Sequence, residues 1–405
     1  MKKILLILVL TIFAGIGSYA QGYWTQKADF GGTERCSGIG MATTTKGYVF
    51  CGYKGGVDHF KDTWEYDPIA NTWTQKADFP GVKRRWLMGF VLNAKCYVGM
   101  GAFMQPDGNY IYYTDFYEYN PATDTWAQKA SFPGSPRAAS FCFNSNNMGY
   151  VGGGSGVNGA LDDLWKYNPN TDTWTQRNNI TCGARWACAY FSIGANAAGR
   201  TVYVGLGTNG TTYFKDLWEY NIGSDSWSQK ANLPGVARWY AGYFSIGNYG
   251  YMGSGNDGYS YLQDFYQYDR STDSWTQIPD LTGVGRCEAF SFFINDRGFI
   301  GSGLTDQFAY TPDFWEYTPS WYGIDNTMQP NMLINIYPNP ATDYISIETK
   351  ETGVTAFIYS MHGQLLIQKT LGQTNQIDVS KLATGVYALK LVTAKNESVK
   401  RFIKE

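Results

Sequence analysis

Six arginines occupy one fixed place in a repeating pattern: Arg35, Arg84, Arg137, Arg185, Arg238 and Arg286. Each lies eleven residues after the Trp of a Trp-[Thr/Ser/Ala]-Gln tripeptide. Guanidinium groups brought together in this way could grip carboxylates in bidentate fashion. Each unit also carries a fixed Asp, at Asp62, Asp115, Asp163, Asp216, Asp264 and Asp313. One Arg–Asp pair per unit, locking one unit to the next, is the competing expectation, because six bare cations around one axis would repel each other. On that expectation Arg35, Arg137 and Arg286 form a structural ring.

Residues that break the symmetry are the better candidates for a binding site. Trp86 follows the doubled Arg84-Arg85, and Trp186 and Trp239 directly follow Arg185 and Arg238. The second unit has the longest variable stretch, Ala102 to Thr114, with Tyr110, Tyr112 and Tyr113. The fourth has a five-residue insertion near Ala195 to Gly199. Rings beside polar groups hold sugars through an apolar face and hydrogen bonds; the alternative is that these rings fill space between units. The candidate binding set is Arg84, Arg85, Trp86, Arg185, Trp186, Arg238, Trp239, Tyr110 and Tyr112.

Catalytic chemistry is poorly supplied. The chain has 2 His, His59 and His362, too few for a His-based metal site or a Ser-His-Asp triad in the repeats. The 7 Cys match no metal-ligand spacing and are expected as buried thiols. No phosphate loop or dinucleotide fingerprint occurs. No catalytic residue, metal or cofactor is therefore expected.

The elements that must position these residues come from the repeat itself. The tripeptide begins at Trp24, Trp73, Trp126, Trp174, Trp227 and Trp275, at intervals of 49, 53, 48, 53 and 48 residues. An Asp-x-[Trp/Tyr]-x-Tyr motif and a [Tyr/Phe]-[Val/Ile/Met]-Gly-x-Gly motif recur with it. Each unit reads as four strands: one after the Arg, one with the Gly motif, one with the Asp motif and one with the Trp. Turn formers such as Asn120-Pro121-Ala122-Thr123-Asp124 join the last two. The last unit lacks a Trp strand and the first has a spare one, Trp24-Thr25-Gln26. The N-terminal strand is expected to close the ring.

These motifs resemble the kelch family, over roughly residues 22–319. The resemblance implies an all-β fold with a six-bladed kelch-type β-propeller. It departs in that the family's adjacent Gly pair is mostly Gly-x-Gly here. The copper oxidases sharing this fold need His and a Tyr-Cys pair that the chain does not supply. Kelch proteins that interconvert sialic acid anomers need little more than Arg and Glu in the channel, so a carbohydrate-active enzyme is the alternative to a binder; a structural surface protein is a third reading.

Residues 334–405 contain about seven short strand-like runs in the pattern of a small Ig-like β-sandwich. The run Ile336-Tyr337-Pro338-Asn339-Pro340-Ala341-Thr342-Asp343 and the end Lys400-Arg401-Phe402-Ile403-Lys404 resemble the C-terminal sorting domain of type IX secretion, a system of Bacteroidota-like bacteria. The resemblance implies the type IX secretion machinery as a partner and export to the medium or the outer cell surface.

The expected organisation is a signal peptide over 1–20, the propeller over 21–319 closed by the N-terminal strand, a linker over 320–333 and the sorting domain over 334–405. Lys2 and Lys3, an apolar run and Ser18-Tyr19-Ala20 carry the first assignment; no other segment is apolar enough to span a bilayer. Net charge is -2 with 16% charged residues, which disfavours nucleic acid. Together these features lead to a secreted, non-catalytic binding or adhesion module for an extracellular glycan or protein.

Overall fold

The computed structural model describes residues 22–56, 58–196, 199–319, 335–349, 353–360, 365–372, 375–393 and 397–405. The expected signal peptide and linker lie outside the described residues. The chain divides into two compact units, one built on Tyr23–Tyr322 and one on Gly323–Glu405.

The larger unit is built on six four-stranded antiparallel sheets, with a small three-stranded and a two-stranded sheet beside them. Blade one runs from inside to outside through Ile39–Ala42, Gly47–Tyr53, His59–Asp67 and Thr72–Lys76. Blades two to five repeat this order over residues 88–129, 141–177, 189–230 and 242–278. Blade six joins Phe290–Ile294, Arg297–Gly301 and Phe314–Thr318 to the N-terminal strand Tyr23–Gln26, with Trp24 opposite Tyr317. That pairing closes the ring and completes the sixth blade, leaving only short edges.

Blades pack through rings. Tyr66 of blade one meets Phe299 and Phe314 of blade six, and Tyr119 of blade two meets Tyr48 and Phe50 of blade one. Gly149 is needed for this packing: a Cβ there would lie 2.0 Å from the Phe90 ring of the preceding blade. The outer Trp also ties blade to blade. Trp126 Nε1 donates to Ala77 O at 3.0 Å, and Trp174 Nε1 to Ala130 O at 3.0 Å. The turn Asp helps, since Asp124 accepts from the Ala77 N–H of the previous blade and from the Tyr119 hydroxyl of its own.

Two closed circuits of backbone hydrogen bonds surround the axis. In one, Gly52, Gly101, Gly154, Gly207, Gly255 and Gly303 each donate to the carbonyl of the next blade's repeated Arg, over 2.7–3.0 Å. In the other, Ser37, Trp86, Ala139, Ala187, Tyr240 and Glu288 each donate to their counterpart in the preceding blade, over 2.9–3.3 Å. All six of the latter have φ between 49° and 60°, a left-handed conformation that non-glycine residues seldom adopt. Buried N–H and C=O groups beside the channel are satisfied in this way.

The smaller unit is a β-sandwich. A three-stranded sheet (Asn335–Tyr337, Tyr344–Glu348, Gln376–Asp378) and a four-stranded sheet (Leu365–Thr370, Thr355–Ser360, Gly385–Val392, Glu397–Lys404) share a core of Ile345, Ile347, Ile358, Leu389, Leu391 and Phe402. The Pro-Asn-Pro-Ala run latches the last strand: Ala341 N donates to Ile403 O at 2.8 Å, and Ile403 N to Asn339 Oδ1 at 2.9 Å.

Candidate functional site

The repeated arginines are buried and paired. Of the candidate binding set, Arg84 and Arg238 are 0% exposed and Arg185 1%. Arg35, Arg137 and Arg286 are equally buried. Every one of the six makes a forked ion pair with the Asp of its own blade, the Nη2–Oδ2 arm spanning 2.7–3.0 Å. Each Nη1 also donates to the carbonyl of the residue after the first motif Gly, or of Cys51 in blade one, over 2.9–3.3 Å. The pair lies within a blade, which corrects the expectation that it links neighbours; the backbone circuits do that. Burial pushes the carboxyls of Asp163 and Asp313 up, but their Arg partners outweigh it and hold both below the usual range.

The residues just after each Arg surround one mouth of the channel. Two positions on stand Ser37, Trp86, Ala139, Ala187, Tyr240 and Glu288, the residues of the second backbone circuit. Trp86 and Tyr240 stack across the axis, with ring centroids 5.9 Å apart. From them an aromatic band extends both ways. On one side Trp86 meets Tyr110 at 5.6 Å, and Tyr110 meets Tyr112 at 6.1 Å. On the other Tyr240 meets Trp186 at 5.8 Å and Trp239 at 5.0 Å, and Trp239 meets Tyr213 at 5.8 Å.

The structure thus brings together Trp86, Trp186, Trp239, Tyr110 and Tyr112 from three blades. The blade-two loop presents its tyrosines as a hairpin, Ala102–Met104 against Tyr110–Tyr112. The blade-four insertion belongs elsewhere: it extends the inner hairpin Ala189–Asn196/Gly199–Gly205, at the other mouth. Ala197 and Ala198 lie outside the described residues.

Polar groups accompany the band. Trp86 Nε1 donates to Glu288 Oε2 at 3.2 Å, and the Ser37 hydroxyl donates to the same oxygen. Arg85 lies over Trp86, its guanidinium carbon 3.8 Å from the ring centroid, and over Tyr53 at 4.1 Å; its Nη2 donates to the Tyr110 hydroxyl. Trp239 Nε1 donates to Asn256 Oδ1 at 3.3 Å. The Tyr240 hydroxyl is buried without a partner among the described residues. Burial first, then the Glu288 charge, pushes it well above its ordinary value, so it stays a donor.

Tyr213, Tyr240, Glu288 and Ser37 were not singled out from the sequence. The second position after each Arg is Ser, Trp, Ala, Ala, Tyr and Glu in turn, so no motif marks it. The constant offset from the Arg would have found all six.

The opposite mouth opens into a cavity of about 620 Å³ between the inner hairpin turns. Tyr190 and Tyr243, ring centroids 4.2 Å apart, occupy one side of it, and Asn144, Ser192 and Ser245 stand on its wall. Among the described residues no group of three or more His, Cys, Asp or Glu could hold a metal. None of their helices is long and apolar enough to cross a membrane. All seven Cys are free thiols, and Cys182 alone is not fully buried.

Residues 129–303 match the KLHDC2/KLHL20/DRC7 Kelch-repeats domain, and residues 335–405 match the secretion system C-terminal sorting domain. This chain is a kelch-repeat propeller followed in sequence by a secretion sorting domain. The solved structure of YjhT is similar in fold to the kelch propeller, with a TM-score of 0.60 at 17% identity, covering 71% of this chain and 95% of that one. Beta-agarase D of Zobellia galactanivorans is 36% identical over 75 residues, which is 18% of this chain and 15% of that protein's own length. The sorting domain makes the kelch protein a secreted or cell-surface protein of Bacteroidetes-type bacteria and implies engagement with the type IX secretion machinery.

Proposed function

We propose that the exported propeller is a non-catalytic glycan-binding module whose site is the aromatic mouth. The observation that carries this reading is the unbroken band from Tyr112 through Tyr110, Trp86, Tyr240 and Trp239 to Tyr213, with Glu288, Arg85 and Asn256 beside it. A pyranose has apolar C–H faces and a polar edge. Rings of the band cover the faces, and the carboxylate, guanidinium and amide take hydroxyls. Band residues are half-buried, and Tyr213 is 37% exposed, so part of the band's surface is accessible to a ligand. They are also held by mutual packing and by the circuit beneath, which lowers the ordering cost of binding.

The test is a glycan array probed with the mature chain and with the double variant Trp186→Ala/Trp239→Ala. The reading predicts binding to a subset of glycans, lost in the variant while its unfolding temperature stays within a few degrees of wild type. Absence of any glycan signal, or a signal indifferent to the variant, contradicts it.

A further inference from the structure

Arg85 is more than nine-tenths buried, at 7% exposure, yet it lacks what every other buried arginine of the propeller has. The six frame arginines each hold an Asp within 3.0 Å. No described carboxylate lies within 4.0 Å of Arg85. Among the described residues its Nε is buried with no hydrogen-bond partner, and Nη2 donates to a hydroxyl, that of Tyr110. The remaining contacts are ring faces, those of Tyr53, Trp86 and Tyr110. Ring faces attract a cation only weakly compared with a carboxylate.

A charge largely removed from water without a carboxylate partner is costly, and an anionic ligand would offset that cost. Glu288 does not serve: its Oε2 is taken by Ser37 and Trp86, on the indole N–H side of the same ring that Arg85 covers. The mouth therefore has a cation lacking an anion and, across Trp86, a carboxylate able to accept a hydroxyl. Resting on the glycan reading above, we infer that the ligand is an acidic sugar: a hydroxylated ring bearing a carboxylate or sulfate ester, with the anionic group on Arg85 and a hydroxyl on Glu288.

The experiment is calorimetric titration of the mature chain with three probes of matched length: a neutral galactose oligosaccharide, an oligogalacturonate and a sulfated galactan oligosaccharide. The inference predicts that one or both acidic probes bind about 10-fold or more tighter than the neutral one. The gap narrows as salt rises from about 50 to about 500 mM. The carboxylate and sulfate arms decide which anion is preferred. Arg85→Gln removes the gap and Arg85→Lys keeps part of it. Unfolding temperature supplies a second readout: without ligand, Arg85→Gln is as stable as wild type or more so, because it relieves an unpaired charge. A lower temperature, with the acidic preference intact, means that Arg85 is structural and overturns the inference. Equal binding of all probes, unchanged in Arg85→Gln, overturns it while leaving the glycan reading in place. No binding of any probe, together with a blank array, overturns both.

Discussion

Trp86 and Tyr240 face each other across the propeller axis, ring planes 13° from parallel, from blades that stand opposite in the ring of six. Neither residue repeats in the other blades. The frame beneath is six-fold and the stack is not, so the stack gives this mouth a direction in which a chain-like ligand can lie.

Trp86→Ala removes the middle of the band. The position already holds Ala139 and Ala187 in blades three and four, with the same positive φ, so the backbone accepts the change. The expected outcome is a loss of glycan affinity of about 10-fold or more with a small change in unfolding temperature. Titration calorimetry and differential scanning calorimetry on the same preparation check both parts.

Arg137 exemplifies the frame. It is 0% exposed, and its guanidinium ties Asp163, the Gly153 carbonyl and the Ser135 carbonyl. Arg137→Ala strands a partly buried carboxylate and is expected to cost about 3–5 kcal/mol. Arg137→Lys recovers little, since an ammonium cannot span both carboxylate oxygens and a carbonyl. Midpoints of urea unfolding followed by tryptophan fluorescence measure both, and glycan binding below the transition should be unchanged.

The same pairs set the acid limit. Asp163 and Asp313 are held below the usual carboxylate range in the folded protein, chiefly against burial and by Arg137 and Arg286. A depressed folded pKa adds stability above the unfolded value, about 3.9, and that stability is lost as pH falls through the folded one. Unfolding temperature should therefore be nearly flat from about pH 5 to 8 and fall steeply below about pH 4. Asp163→Asn should lower the plateau and soften the acid slope.

Much of the frame was legible in the sequence, and for a physical reason. Each blade must present the same Arg, Asp, Gly and Trp to its neighbour, so their types and spacings repeat. The spare strand around Trp24 was legible because the last unit lacks a fourth strand of its own, and it pairs with Phe314–Thr318. The role of the Arg was less visible. Spacing places its Cα beside the channel but does not say that the side chain turns back to an Asp of its own blade. The circuits were not legible as such: the repeated Gly marks the donors of one and a constant offset from the Arg those of the other, but neither says which carbonyl accepts. The mouth was half legible. Trp86, Trp186 and Trp239 stand out as irregular, whereas Tyr240 and Glu288 become meaningful only when the blades set them around one axis.

The sorting domain has its own weak point. Its last strand is pinned by Asn339 and Ala341 through bonds to Ile403. Deleting residues 401–405 removes Phe402 from the core and frees the Pro-Asn-Pro-Ala run. Full-length protein carrying this deletion is expected to fail export and to accumulate inside the cell, while the propeller keeps its glycan binding after purification. Immunoblots of medium, surface and periplasmic fractions check the first part.

On the function proposed above, the aromatic mouth, and not the cavity at the other end of the channel, takes the ligand. Hydroxyl-radical footprinting with and without a glycan taken from the array separates the two, because both mouths carry oxidation-sensitive rings. Protection of Trp86, Trp186, Trp239, Tyr213 and Tyr240 is expected, with Tyr190, Tyr243 and Phe293 unchanged. Protection confined to the last three, or none at either mouth under saturating glycan, would contradict it.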